Sequence, residues 1–190
     1  DQVMPPMDAD MTFRVEEHMR AKGVNLILSD TVKTIEGETS VERVITTNGI
    51  TIEPDIVILS AGVRPNTELA KEMGVELGAS RAIAVNKKMQ TNLPDVYAVG
   101  DVAESFSVIT GKPIYRPLGS TANKMGRIAG DVITGGDLEH RGVLGTGIFR
   151  IFDLHVGQTG LTEKEAKKEG YDVEILYNIK PDHAEYLGGK

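Results

Sequence analysis

The sequence predicts an α/β fold that passes, towards its C-terminal end, into the start of an α+β unit. Three observations carry this expectation. Apolar runs at residues 24–28, 56–59 and 96–99 have the length of buried strands rather than helices. Segments with helical periodicity or helix caps lie between them, the alternation from which α/β layers are built. Beyond a polar, turn-like stretch at residues 137–141, the order changes to strand, strand, helix, strand.

Residues 8–22 read as the first helix, because Met11, Val15 and Met19 form an apolar stripe at i, i+4 and i+8. Asp8 and Asp10 suit its first turn, Arg20 and Lys22 its last, and Gly23 is placed to stop it. His18 lies beside the stripe with no second metal ligand at a useful spacing, so it reads as a packing or helix-surface residue. The run 24–28 follows as a buried strand. Residues 31–35, 41–47 and 50–53 read as short antiparallel strands, turned at Gly37 and at Asn48-Gly49. Asn-Gly between apolar runs is a strong hairpin signal. The run 56–59 leads into Ser60-Ala61-Gly62-Val63-Arg64-Pro65-Asn66, after which Asn66 or Thr67 caps a helix reaching about Met73.

The most informative string is residues 91–104. A turn at Pro94 and Asp95 leads into the 96–99 run, which ends at Gly100 with Asp101 directly behind it. A glycine there lets the backbone turn sharply and lets a ligand approach closely. Open α/β sheets bind ligands outside the carboxyl ends of their strands, the position Asp101 takes. An ionised carboxylate only accepts hydrogen bonds, which suits a hydroxyl-rich partner such as a ribose or ribityl chain. An Asx turn is the commoner meaning of a bare Gly-Asp pair.

Farther on, Arg116-Pro117-Leu118-Gly119-Ser120-Thr121-Ala122-Asn123 opens a helix running to about Thr134, stopped by Gly135-Gly136. Ala122, Gly126 and Gly130 recur every four residues, a stripe of small side chains suited to close core packing. Leu118, Gly119, Ser120 and Thr121 place free backbone N–H groups at the positive end of that helix's dipole. Residues 146–152 and 154–160 read as two strands joined at Asp153. Thr162-Glu163-Lys164-Glu165 is a capping box with Leu161 and Ala166 as its hydrophobic staple. That helix ends at Gly170, and residues 173–179 form a further strand.

Hydrophobic residues make up 40% and charged residues 26% of the 190-residue chain, ordinary proportions for a globular protein. A net charge of -7 with dispersed Lys and Arg argues against nucleic-acid or anionic-membrane partners. No apolar run has the length of a membrane span and no signal peptide opens the chain, so a cytoplasmic location is expected. With 0 cysteines, no disulfide, thiolate metal site or redox thiol exists within these residues. The start at Asp1 and the close at Gly188-Gly189-Lys190 look like those of a piece excised from a longer protein.

In order and approximate spacing, two of these strings resemble motifs of the pyridine nucleotide–disulfide oxidoreductase family of flavoproteins. Residues 91–104 resemble its second flavin-binding motif, and residues 61–66 its crossover from the pyridine-nucleotide domain back to the flavin domain. The resemblance implies partial doubly wound nucleotide-binding domains, for NAD(P) at residues 1–62 and for FAD at residues 63–140. It implies that residues 141–190 begin an α+β interface domain through which two subunits form a homodimer. Gly62 is thereby implied near the nicotinamide nucleotide, and Gly100 and Asp101 near the flavin's ribityl chain. Leu118, Gly119, Ser120 and Thr121 are implied against the flavin pyrimidine ring, where N–H groups stabilise negative charge as an oxyanion hole does. Asp182-His183-Ala184-Glu185-Tyr186 resembles the coenzyme A-disulfide reductase branch, in which a tyrosine reaches the partner subunit's active site. His183 and Tyr186 are therefore catalytic candidates, although Tyr186-Leu187-Gly188 departs from that branch's Tyr-Tyr-Pro-Gly type string and a surface loop is the competing reading.

The family's glycine-rich dinucleotide loops are absent from these residues. Gly145-Thr146-Gly147-Ile148-Phe149-Arg150 has Arg150 where the third glycine belongs, with no strand before it. For the intact parent, the resemblance implies an enzyme that passes hydride from NAD(P)H through FAD to a small-molecule disulfide. An NADH oxidase or peroxidase, with oxygen or peroxide as acceptor, is the alternative, and a non-catalytic dimerisation or interaction module is the competing class. The chain alone is expected to be inactive, to retain neither FAD nor NAD(P)H, and to bind no metal.

Overall fold

In the computed structural model, which describes residues 1–181, the first helix is α1 (Ala9–Ala21). It buries Thr12, Val15 and Glu16 and leaves Met11 51% exposed, so its inner face is turned by one position from the expected stripe. Three further helices follow: α2 (Glu68–Glu72), α3 (Gly119–Ile133) and α4 (Glu163–Lys168). All four end in the same way. Gly23, Gly74, Gly135 and Gly170 take positive φ, and each donates to a carbonyl of the last turn while the next residue's N–H reaches one carbonyl farther back. That is the Schellman arrangement, and glycine adopts the required left-handed backbone without strain.

The predicted hairpins form. Strands β1 (Val32–Glu36), β2 (Arg43–Thr46) and β3 (Thr51–Ile52) make an antiparallel sheet in that order. At the Asn48-Gly49 turn, Gly49 N–H donates to the Thr46 carbonyl and Thr46 N–H to that of Ile50. Asp30 clasps the open end of this sheet by accepting from Thr31 N–H, the Thr47 hydroxyl and Asn48 N–H. Hydrogen bonding from Thr46, Thr47 and these backbone groups holds its pKa at about 2. Strands β4 (Ser105–Phe106) and β5 (Pro113–Ile114) pair with each other, as do β6 (Gly147–Ile151) and β7 (Leu154–Gln158).

Four expected strands are not formed. Residues 24–28, 56–59 and 173–179 join no ladder, and in 96–99 one residue, Tyr97, bridges to Gln90. A strand is defined by its neighbour, and parallel layers pair segments far apart in sequence. No such neighbour stands beside these runs among the described residues. Ile56, Ile58 and Leu59 are accordingly 77%, 85% and 72% exposed instead of buried. The small-residue stripe of α3 is also not in a core. No atom lies within 4 Å of where a Cβ would stand at Gly126 or Gly130.

Two cores organise the chain. The central one gathers Ala70, Val75, Ile83, Met89, Ala98, Ala103, Met125 and Ala129, so that α2, the 75–104 segment and α3 share one interior. In the second, Met7 and Val15 meet Val156, with Met19, Ile151 and Leu154 packed around them. Helix α1 thus lies on the β6–β7 hairpin. Asp8 strengthens this joint, accepting from Glu163 N–H (2.7 Å) and Lys164 N–H (3.2 Å) at the start of α4. Its carboxylate supplies a cap from 155 positions away in sequence.

His140, 2% exposed, packs near Phe106 and accepts from Gly142 N–H at Nδ1 (3.1 Å), which puts its proton on Nε2. Burial, and then the Lys124 charge, hold its pKa below the ordinary 6.5. The unfolded imidazole takes up its proton more readily than the folded one. Stability from this group is complete above the unfolded value and is lost as pH falls below about 6.5 through the folded value. His140→Gln is expected to flatten that acid limb, as read from unfolding midpoints between about pH 5 and 8. Equal slopes in the two proteins would contradict the assignment.

Candidate functional site

The 91–104 string is held by hydrogen bonds within it and to Ile83 and Met89. Thr91 Oγ1 accepts from Leu93 N–H and donates to the Val96 carbonyl, closing the turn in which Asp95 takes φ +60°. Ala98 N–H then donates to Met89, Ile83 N–H to the Val102 carbonyl, and Glu104 N–H to Ile83. Between these anchors the chain makes one 3-10 turn, Gly100–Val102, entered at Gly100 with φ +78°. A Cβ at Gly100 would stand 3.6 Å from that of Ala122, an ordinary contact, so backbone conformation rather than space asks for glycine. Helix α3 packs against this turn.

Asp101 therefore projects from a fixed turn. Its side chain is exposed, and its carboxylate meets no donor among the described residues. Its carbonyl accepts the Tyr115 hydroxyl at 2.9 Å. Burial, and then the Asp101 charge, raise the Tyr115 pKa, which keeps the phenol a donor at neutral pH. Glu104, three residues on, is a different case. It is 5% exposed, and its Oε1 accepts both the hydroxyl (2.6 Å) and the N–H (3.2 Å) of Ser80.

Asp101 and the 61–66 string share a cleft of about 400 Å³, lined by Val63, Arg64, Pro65, Asn66, Asp101, Val102, Tyr115 and Pro117. Gly62 adjoins it with φ +87° and no atom within 4 Å of a would-be Cβ. One residue beyond Pro117, Leu118 is the N-cap of α3 and no side chain caps that helix. Its first bond at this end runs from Ala122 N–H to the Leu118 carbonyl, which leaves the N–H groups of Gly119, Ser120 and Thr121 without helical acceptors. Leu118, Ser120 and Thr121 line a second cleft of about 240 Å³ with Lys124 and residues 142–146. Gly119 lines neither. The structure thus brings the two strings together and sets the α3 N-terminus one residue from their cleft. His183 and Tyr186 lie outside the described residues.

Sequence reasoning attached no role to Tyr115, Arg64 or Lys124. An aromatic two residues before Pro117-Leu118 was the available signal for Tyr115, but nothing local says what its hydroxyl reaches.

A family model described as pyridine nucleotide-disulphide oxidoreductase matches residues 1–126. The chain belongs to this family. Among curated relatives, it is 48% identical over 186 residues to an NAD(P)H sulfur oxidoreductase (CoA-dependent) of Pyrococcus furiosus, covering 96% of this chain and 41% of that protein. It is 41% identical over 191 residues to an NADH oxidase of Methanocaldococcus jannaschii, covering 100% of this chain and 42% of the relative. Two solved structures match its fold closely. One is an NAD-dependent persulfide reductase from A. fulgidus (TM-score 0.84, 40% identity, 90% of this chain and 32% of that one). The other is an FAD-dependent pyridine nucleotide-disulphide oxidoreductase from Desulfovibrio vulgaris (TM-score 0.82, 38% identity, 90% and 44%). The chain spans about two fifths of the length of these curated relatives. Its α/β fold is that of the family. Among the described residues, no helix is long and apolar enough to cross a membrane, and no cluster of His, Cys, Asp and Glu could hold a metal ion.

Proposed function

We propose that this chain is part of an FAD-dependent NAD(P)H:disulfide oxidoreductase resembling coenzyme A-disulfide reductase. Residues 1–62 contribute to its pyridine-nucleotide domain, 63–140 to its flavin domain, and 141–190 to an interface domain that forms a homodimer. The carrying observation is the single cleft that Asp101 shares with residues 63–66, directly before the uncapped start of α3.

The residues present fit one end of a flavin nucleotide. A bound FAD would supply the redox chemistry between NAD(P)H and the acceptor, which belongs to the cofactor. The chain binds and orients. The unpaired Asp101 carboxylate is an acceptor suited to ribityl hydroxyls. The N–H groups of Gly119, Ser120 and Thr121, at the positive end of a 15-residue helix, suit a ring edge rich in carbonyl oxygens and stabilise negative charge there. Bare backbone at Gly62 admits a flat ring without a side chain in the way.

In the full-length protein, Asp101→Ala is expected to lower FAD affinity about tenfold or more, since a charge-assisted hydrogen bond contributes roughly 1.5–3 kcal/mol. Unchanged flavin content and affinity would contradict the reading. Oxygen as acceptor is the second reading, favoured by the M. jannaschii relative's NADH oxidase name. NADH consumption with oxygen alone, against consumption with an added disulfide or persulfide, separates the two. A cytoplasmic location is part of the proposal. The 190-residue chain by itself is expected to bind no flavin and to turn over no NADH, because it lacks a phosphate-binding glycine loop and any thiol. A flavin absorbance band that survives gel filtration would overturn that expectation.

A further inference from the structure

We infer that Tyr115 is a positioning residue, which holds the Asp101 carboxylate where the cofactor needs it by gripping the Asp101 backbone. The inference rests on the flavin reading above and adds a residue to it. The chain around Asp101 is pinned on both flanks, at Ala98 by Met89 and at Val102 and Glu104 by Ile83. Between these pins lies the 3-10 turn, entered through a glycine in the left-handed region. A glycine entry supports many backbone conformations, so the direction of the next side chain rests on the bonds that hold the turn, that of Ala103 N–H to the Gly100 carbonyl among them. The Tyr115 hydroxyl adds a bond made on Asp101 itself. It spans 14 positions of sequence to donate to the Asp101 carbonyl at 2.9 Å, and its ring lines the same cleft as Asp101, Arg64 and Pro117.

Tyr115 is itself anchored. It directly follows β5, whose Ile114 pairs with Ser105 of β4, and it stands two residues ahead of Pro117, whose fixed φ leads into α3. Next to it, Arg116 binds Glu165 at 2.8 Å, and Glu165 is the residue that closes the capping box of α4. The grip on Asp101 is thus tied to β4, α3 and α4 together. A phenol also keeps its proton at neutral pH, so it can donate to the Asp101 carbonyl there. Placing a carboxylate before its ligand arrives removes an ordering cost from binding.

The test is a cycle on FAD affinity, measured by quenching of flavin fluorescence on titration into the flavin-stripped full-length protein. Its members are wild type, Tyr115→Phe, Asp101→Ala and the double variant. Tyr115→Phe deletes one oxygen and keeps the ring, so its melting temperature is expected to stay close to wild type. Its FAD affinity is expected to fall roughly two- to tenfold, the worth of one neutral hydrogen bond. In the Asp101→Ala background the same change should have no further effect, because no carboxylate remains to be placed. A purely structural tyrosine would weaken both backgrounds equally, and that result would overturn the inference. So would wild-type affinity in Tyr115→Phe beside a weakened Asp101→Ala, which leaves the flavin reading standing. Wild-type affinity in Asp101→Ala would remove the flavin reading itself, and this inference with it.

Discussion

Met89→Ala is expected to destabilise the chain by about 2–5 kcal/mol, among the largest effects of any single truncation here. Met89 is 0% exposed and belongs to the central core with Ala98, Ala103 and Met125. Its deletion removes buried apolar surface and leaves a cavity that the surrounding backbone resists filling. Asn86 accepts from both Lys88 N–H and Gln90 N–H, Met89 N–H donates to the Asn86 carbonyl, and the Met89 carbonyl accepts from Ala98 N–H, so the turn around it is fixed. A second feature makes the prediction sharper. Met89 takes φ +64°, a conformation that costs a side-chain-bearing residue roughly 1 kcal/mol or more. Met89→Gly also loses the buried Cβ, about 0.8 kcal/mol, but gains a similar amount at this φ. It is therefore expected to be about as stable as Met89→Ala, against the usual order of the two residues. Urea unfolding midpoints of the three proteins check this. A glycine variant clearly less stable than the alanine one would show that the backbone strain is absent.

What could be read from sequence was what short segments decide for themselves. The four helix stops at Gly23, Gly74, Gly135 and Gly170, the Asn48-Gly49 hairpin and the Thr162–Glu165 capping box each depend on a few neighbouring residues. Gly74 alone had not been named as a stop. Residues 24–28, 56–59 and 173–179 were misread for the opposite reason, since apolar composition cannot supply a ladder partner. The same division runs through the candidate site. Gly100, Asp101 and the start of α3 follow from local pattern, and the structure places them at one 3-10 turn and the helix packed on it. Tyr115 and Asp8 do not follow from it, because each acts on backbone groups distant in sequence. Met11 was placed on the inner face of α1 by periodicity. The buried face is instead Thr12, Val15 and Glu16, with Val15 packed against Val156 of the β6–β7 hairpin and Glu16 accepting from Val3 N–H.

Gly142→Ala is expected to cost about 2–4 kcal/mol and to disturb the second cleft at the same time. Two penalties combine. Gly142 has φ +92°, where alanine is strained wherever it stands. Its added Cβ would also lie 2.9 Å from the Phe106 carbonyl oxygen and 3.2 Å from Val108 N. Neither atom is free to yield, because Phe106 accepts from Val143 N–H at 2.7 Å and Val108 N–H donates back to Val143 at 3.1 Å. The two penalties can be separated. Gly135 has nearly the same φ, +93°, but no atom within 4 Å of a would-be Cβ, so Gly135→Ala should carry the conformational penalty alone, about 1 kcal/mol. Gly126 lies inside α3, also in open space, and Gly126→Ala should stabilise by roughly 0.5–1 kcal/mol through helix propensity. The expected order of unfolding midpoints is therefore Gly126→Ala above wild type, then Gly135→Ala, then Gly142→Ala. Because Gly142 lines the cleft with Leu118, Ser120 and Thr121, any relief of the clash by movement of residues 142–146 would alter the surroundings of the α3 N-terminus. A Gly142→Ala midpoint equal to that of Gly135→Ala would mean that the β4 backbone gives way freely, and that the close approach at residue 142 is not what holds these two segments together.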